Sequence, residues 1–339
     1  MNPDDGTLRA ELNTAIEKTL PARLFPGTDP QQTCFSRLMT FLFWLISRFP
    51  LRLLQAAGGA LGLLIARLPG RYGQRLRENF RQAFPDATEA MIDEAARSAG
   101  RMIIEMPYFW SRSKIGAKLY GFDDYLWPEL GKLQARGKGI IILTPHLGCF
   151  EVLPQSHALQ RPVTALFKPP HQPWLRDWIE KMRTRPDMHM APATPRGVRM
   201  LVKALKRGQA VGILPDQVPS GGEGNWAPFF GKPAYTMALV HRLQQLTGAP
   251  VVAVFAERLP RGAGYRGHLR VINDGGMLPD DPAAAAAVIN RTIEELVGLC
   301  PTQYLWAYNR YKQPAGAGTP DAPDTPGNDT EPAADQSIS

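Results

Sequence analysis

The chain has 339 residues, of which 44% are apolar and 21% charged, with 32 Pro and 31 Gly; this composition excludes a collagen, a fibrous protein and a polytopic membrane protein. Its three cysteines, Cys34, Cys149 and Cys300, are far apart and form no CxxC pair, which leaves neither a disulfide framework nor a cysteine zinc site and fits a reducing compartment. The formal charge of +8 averages unlike regions: residues 1–36 carry five acids against three bases, residues 313–339 five acids and no base, and residues 37–312 carry 36 bases against 21 acids. A body this basic suits an anionic partner, whether nucleic acid, an anionic membrane or an acidic protein, and composition does not choose among them.

Residues 1–36 read as a polar, acidic segment. Between Arg37 and Arg81 there are eight Arg, no Lys and only Glu78 as an acid, interleaved with the apolar runs 38–46 and 53–66. The longest uncharged run is 14 residues, short of the roughly 20 that a straight helix needs to cross a bilayer core. Residues 37–82 are therefore expected to associate with a membrane as an in-plane or shallowly inserted helical hairpin, with Arg side chains toward anionic lipid. A single tilted anchor and a buried core helix with Arg at its rims are the alternatives. The apolar stretch starts late and lacks a small-residue cleavage site, which disfavours a cleavable signal peptide.

Asp86 to Glu89 resembles a capping box, and the apolar periodicity through Met91, Ile92, Ala95, Ala96, Ala99, Met102 and Ile103 predicts an amphipathic helix that ends or kinks near Pro107. Beyond residue 138, strand-like runs at 139–144, 162–167, 210–214, 250–257 and 267–272 alternate with helix-like runs at 149–159, 174–182, 195–207, 236–246 and 282–299. The alternation predicts an α/β domain over residues 83–312, with a mainly parallel mixed sheet flanked by helices. Residues 313–339, acidic and rich in Pro and Gly, are expected to be a disordered tail.

The apolar run Gly139–Leu143 delivers the chain to Thr144-Pro-His146-Leu-Gly-Cys-Phe-Glu151. In an open α/β sheet, ligands sit beyond the carboxyl ends of the strands, which puts His146 at a site edge. With Gly148 as N-cap of the next helix, Glu151 would fall at N3 and turn back toward the loop, so that His146 and Glu151 touch. The carboxylate would fix the imidazole tautomer and leave the other ring nitrogen to take a proton from an attacking hydroxyl. The plainer reading has a loop histidine bonded to backbone and a helix-start acid suited to the dipole. Asp216 ends another apolar strand at the same edge, either orienting a partner or capping the Gly-rich loop after it. The aromatics of residues 218–230 fit a mobile rim of a ligand tunnel and a core equally well. Cys149 is a nucleophile only with a lowered thiol pKa, for which the sequence offers no source beyond the helix start. The remaining histidines have no metal spacing.

The H-x4-E motif after a strand resembles the late acyltransferases of lipid A biosynthesis, within the wider H-x4-D/E glycerolipid acyltransferase group. Leu214-Pro-Asp216-Gln217 with the glycines of 220–224, Ala227-Pro-Phe-Phe-Gly-Lys-Pro233 and Pro301-Thr-Gln-Tyr-Leu-Trp306-Ala-Tyr-Asn-Arg310-Tyr-Lys312 are similar to further motifs of that family, and the likeness spans about residues 37–312. It implies a glycerolipid-acyltransferase-like fold. It also implies transfer of a fatty acyl chain from acyl carrier protein to a hydroxyl of a phosphorylated glycolipid, a lipid A precursor, at the cytoplasmic face of the bacterial inner membrane. No metal or organic cofactor and no nucleic acid would take part. Catalysis would fall to His146 and Glu151, and substrate binding to Lys168, Asp216, Gln217 and one of Arg183 and Arg185. Where that family commonly has Tyr-Arg-Pro, this chain has Phe167-Lys-Pro169, so a fork-shaped cation becomes a point charge. A glycerolipid or amino-acid lipid acceptor, or a catalytically silent lipid-binding protein, are the competing readings. No nucleic-acid recognition motif and no G-x-S-x-G elbow is present.

Overall fold

The computed structural model describes residues 34–110, 112, 114–168, 179, 183 and 185–320; the helix expected at 174–182, most of the acidic N-terminal segment and the tail from 321 lie outside the described residues. The apolar run after Gly139 forms β2 (Ile140–Leu143), every residue of it buried. A strand without a polar face needs cover on both sides, and β2 lies at the middle of a seven-stranded sheet. On one side β5 (Ala210–Ile213), β3 (Val163–Phe167) and β4 (Met188–Pro192) follow in parallel. On the other, β8 (Val251–Arg258) is also parallel, β9 (Tyr265–Val271) runs antiparallel to β8, and β1 (Leu119–Tyr120) pairs with β9 at the edge. All five expected strands are present, and the sheet is mixed and mostly parallel as expected. β1 has two residues and β4, Met-His-Met-Ala-Pro, has no aliphatic run, so neither left a sequence signal.

Among the described residues the α-helices are α1 (Cys34–Arg48), α2 (Leu51–Arg67), α3 (Arg71–Ala83), α4 (Glu89–Trp110), α5 (Trp127–Gln134), α6 (Val152–His157), α7 (Pro195–Lys206), α8 (Leu239–Thr247) and α9 (Pro282–Leu299). Helix α4 is capped at Thr88, whose Oγ1 accepts from Met91 N at 3.3 Å, and it runs through Pro107 to Trp110. Residues 224–237, expected as loop and then helix, instead form an antiparallel hairpin, β6 (Gly224–Phe229) and β7 (Lys232–Met237). Pro228 faces Pro233 across it, which hid the strand pattern, and α8 begins three residues later than expected. Phe229 is buried against Tyr304 and Tyr311, and Phe230 packs on Phe84 and Trp306. These aromatics belong to the core rather than to a tunnel rim. The first residues of the expected disordered tail are also bound: Trp226 Nε1 donates to Ala317 O at 2.9 Å.

Helices α1 and α2 meet at 116° across Phe49 and Pro50, and neither is long and apolar enough to cross a membrane. Helix α2 lies backbone to backbone on α4: a Cβ at Gly62 would stand 2.4 Å from Ala96 O, and one at Gly100 would stand 2.0 Å from Gly58 O. The small residues thus face the body, while Leu53, Leu61 and Leu64 on the other side are more than half exposed.

A buried polar cluster ties this layer to the sheet. Arg258 at the end of β8 donates from Nε and Nη2 to the two oxygens of Glu105 on α4, at 2.7 and 2.6 Å. Tyr265 Oη and Gln55 Nε2 also donate to Glu105, at 2.8 and 2.6 Å. The second Arg258 Nη2 bond, at 3.1 Å, goes to Gly148 O, two residues past His146. Burial alone would lower the Arg258 pKa, but Glu105 outweighs it and raises it.

Removing one partner of such a pair strands a buried charge. Glu105→Gln is expected to lower unfolding free energy by about 3–5 kcal/mol, and Glu105→Leu with Arg258→Met to recover much of it, as read from denaturant midpoints. At the end of α6, burial lowers the His157 pKa from 6.5 to about 4, a hydrogen bond to Arg161 O opposes this, and the Arg161 charge adds to it. The folded chain keeps His157 neutral where the unfolded chain is protonated, so stability is lost as pH falls from about 6.5 toward about 4, by on the order of 3 kcal/mol. Urea midpoints of a His157→Gln chain should lack that part of the slope.

Candidate active site

Four neighbours fix the loop after β2. Leu147 bridges Tyr304 and Gly148 bridges Ala256; Gly148 N donates to Gln303 O at 3.1 Å, and Leu305 N to His146 O at 3.0 Å. Gln303 in turn pairs through its side chain with the backbone N and O of Arg258, at 2.9 and 3.0 Å. Gly148 has φ +63, and a Cβ there would fall 2.0 Å from Ala256 O, so only glycine fits the turn.

His146 is held by Asp216, which follows β5. The His146 N–H donates to Asp216 Oδ2 at 2.8 Å and its Nδ1 lies 2.9 Å from Oδ1. Burial pushes the Asp216 carboxyl up, but the His146 charge and its two hydrogen bonds prevail and hold it below the ordinary carboxylate range. When the ring is neutral and its Nδ1–H is donated to the carboxylate, the lone pair falls on Nε2, which faces Gln217 Nε2 at 3.2 Å.

Glu151 sits elsewhere than expected. The turn at Gly148 is pinned to β8 rather than opening a helix, and α6 starts only at Val152 with Glu151 at the cap position. The carboxylate therefore turns away from His146. It receives Trp110 Nε1 at 2.8 Å on one oxygen and pairs with Arg183 Nη2 at 2.6 Å on the other. The Arg183 guanidinium lies 5.6 Å from each of the Trp110 and Phe167 ring centroids. So the partner of His146 is Asp216, while Glu151 orients Arg183.

The two candidate arginines separate clearly. Arg183 is buried at the site, whereas Arg185 donates to the carbonyls of Phe109 and Arg112, at 2.9 and 2.5 Å, and to Gln155, which makes it a structural clamp. Lys168 is exposed at the end of β3 and does not join this cluster. Cys149 is fully buried, and burial with the nearby Glu105 raises its thiol pKa well above the ordinary value, so it is no nucleophile. Among the described residues no group of His, Cys, Asp and Glu could hold a metal ion.

Beyond Phe150 lies a narrow apolar cavity of about 30 Å³. Thr144, Phe150 and Arg183 line the end nearest the histidine, whose ring is 5.0 Å from that of Phe150. Strands β2, β3 and β5 supply one wall, and α5 and α6 supply the other.

The sequence reading missed Trp110, which sits at the end of a helix expected to stop earlier, and the cluster of Gln55, Glu105, Arg258 and Tyr265. One signal for the latter was present: Glu105 is a lone acid in the apolar stretch Met102 to Pro107, a place that an unpaired carboxylate would not occupy.

Residues 29–313 match the profile of a family described as bacterial lipid A biosynthesis acyltransferase. The lipid A biosynthesis palmitoleoyltransferase of Escherichia coli K12 is 29% identical over 283 residues, covering 81% of this chain and 90% of that protein. The lipid A biosynthesis lauroyltransferase of the same strain is 26% identical over 282 residues, covering 80% and 89%, and a lipid A biosynthesis acyltransferase of Haemophilus influenzae is 25% identical over 274 residues, covering 78% and 84%. The matched region contains the helical layer, the sheet, His146, Asp216 and the clamp around Gly148, and the chain belongs to the bacterial lipid A biosynthesis acyltransferase family.

Proposed function

We propose that this chain moves a fatty acyl group from an acyl carrier protein thioester to a hydroxyl of a phosphorylated lipid A precursor, with His146 as general base. The observation that carries the reading is a histidine locked by a buried carboxylate and packed on Phe150, which lines an apolar cavity. Nε2 of His146 takes the acceptor hydroxyl proton as the oxygen attacks the thioester carbon, and Asp216 stabilises the imidazolium that forms. Gln217 marks where the hydroxyl enters. Arg183, aimed by Glu151 and shielded by Trp110 and Phe167, meets the charge that develops on the carbonyl oxygen in a water-poor setting. Collapse of the tetrahedral adduct breaks the carbon–sulfur bond. The thiolate leaves on the carrier and takes its proton from the imidazolium. Lys168, exposed just after β3, is a point charge suited to an anionic acceptor group.

The helical layer supplies the setting. On α2 the exposed Leu53, Leu61 and Leu64 stand beside exposed Arg52 and Arg67, with exposed Leu68, Arg48 and Arg71 just outside the helix. Apolar side chains with flanking arginines are the pattern of a helix lying in an anionic interface. Such docking at the cytoplasmic face of the bacterial inner membrane would bring a lipid acceptor to the site edge, and the basic body would attract an acidic carrier.

In cells lacking the protein, mass spectrometry of lipid A should show a missing acyl chain that the wild-type chain restores and His146→Ala does not; restoration by His146→Ala would remove His146 as base. Asp216→Asn should lower kcat by about 10²–10⁴ with KM changed little, and Glu151→Gln should cost less than His146→Ala. Lipid A unchanged by loss of the protein would transfer the proposal to a glycerolipid or amino-acid lipid acceptor. For the membrane face, Leu61→Glu with Leu64→Glu should abolish sedimentation with anionic vesicles and leave the thermal midpoint near wild type; undiminished sedimentation would contradict the docking surface.

A further inference from the structure

Behind the apolar cavity lies a second, more polar one of about 410 Å³, lined in part by Asp123, Gln134, Gln160 and Arg161. Three side chains line both: Trp127, Leu130 and His157. The separation between an apolar space and a wet one is thus a single layer of side chains. Trp127 is held in it edge-on by His157 and by Phe122, with ring centroids 5.5 Å apart in each pair, and the His157 ring is tethered through Nδ1 to Arg161 O at 3.2 Å.

The width of the apolar cavity has an equally local origin. Gly212 is the third residue of β5 and pairs with Ile142 on one side and Ala165 on the other. Inner strands of a parallel sheet ordinarily carry large aliphatics, yet Gly212 is only half-buried because it faces the cavity. A Cβ there would meet only Ala165, at an ordinary 3.9 Å. The space over Gly212 and Ala165 is therefore what a Val or Leu would have filled, and a glycine inside a strand leaves room for a ligand to approach the backbone.

We propose that the partition of Trp127, Leu130 and His157 sets the longest acyl chain this protein accepts, and that Gly212 sets the bore through which the chain passes. This rests on the acyl-transfer reading above and adds the determinant of donor length. A chain whose methyl end reaches Trp127 is fully buried. Each further methylene must enter the polar cavity, which forgoes roughly a fourfold gain in affinity per group.

The test uses the full chain with carrier-protein thioesters from decanoyl to octadecanoyl and one acceptor, comparing kcat/KM across the series. Trp127→Ala should move the optimum to longer chains, raising the rate on the longest donors relative to the wild-type optimum by about tenfold or more, as expected for two or more methylenes. Gly212→Val should move it to shorter ones. Leu130→Ala opens the same wall from its other side and serves where Trp127→Ala does not fold. Displacement of cis-parinaric acid by free fatty acids of graded length gives the same ranking without any acceptor, so a wrong acceptor and a wrong length determinant are told apart. A length profile unchanged in the wall variant and in Gly212→Val, by transfer or by displacement, overturns the proposal.

Discussion

The bond from Arg258 to the carbonyl of Gly148 is the constraint on which the site depends. Arg258 is itself oriented by Glu105 through two charge-assisted bonds, and Glu105 stands on α4, which the small residues of α2 hold at backbone distance. A buried ion pair is poor evidence of stability, because desolvation offsets much of its attraction. Its value here is geometric: it fixes the turn that presents His146, and it couples that turn to the helical layer that carries the exposed aliphatics. The Gln303 side chain closes the same clamp from the opposite direction, bonding to Arg258 as a strand neighbour would, so the C-terminal motif acts on the site by holding its loop.

Two buried carboxylates within a few residues of the reacting edge have opposite partners, and this divides their labour. Asp216 meets an imidazole, which holds its carboxyl below the ordinary range, and it orients the ring as the proposed base requires. Glu151 meets a guanidinium enclosed by two aromatic faces. A proton acceptor and a fixed cation are the two functions that attack of a hydroxyl on a thioester needs, one at the nucleophile and one at the carbonyl oxygen. Neither carboxylate could exchange roles without moving the Gly148 turn or the start of α6.

The parallel sheet was legible because its strands are unbroken apolar runs between turn residues, and His146 was legible because the run before it ends at the sheet edge. The pairing was not. Spacing alone suggested that residues five apart at a helix start would touch, but the turn is bridged to β8 and to Tyr304, contacts more than a hundred residues away that no local pattern reports. Asp216 was recognisable as an edge residue, yet that it reaches His146 follows only from β2 and β5 being neighbours. The β6–β7 hairpin was hidden by prolines facing each other across it, and the separation of Arg183 from Arg185 depends on carbonyls at the end of α4. Sequence periodicity thus conveyed the elements and their edge, while long-range packing assigned each side chain its partner.

In the proposed reaction, acyl transfer occurs between His146 and Arg183 with the acyl chain lying along β2, β3 and β5. The decisive measurement is a crystal structure of the full chain bound to an acyl carrier protein whose thioester is replaced by a non-cleavable amide. The amide carbonyl should be hydrogen-bonded to Arg183 beside His146 Nε2, with Nδ1 still on Asp216 and the chain running behind Thr144 toward Trp127. A chain lodged outside that cavity, or His146 paired with Glu151 in the complex, would contradict it.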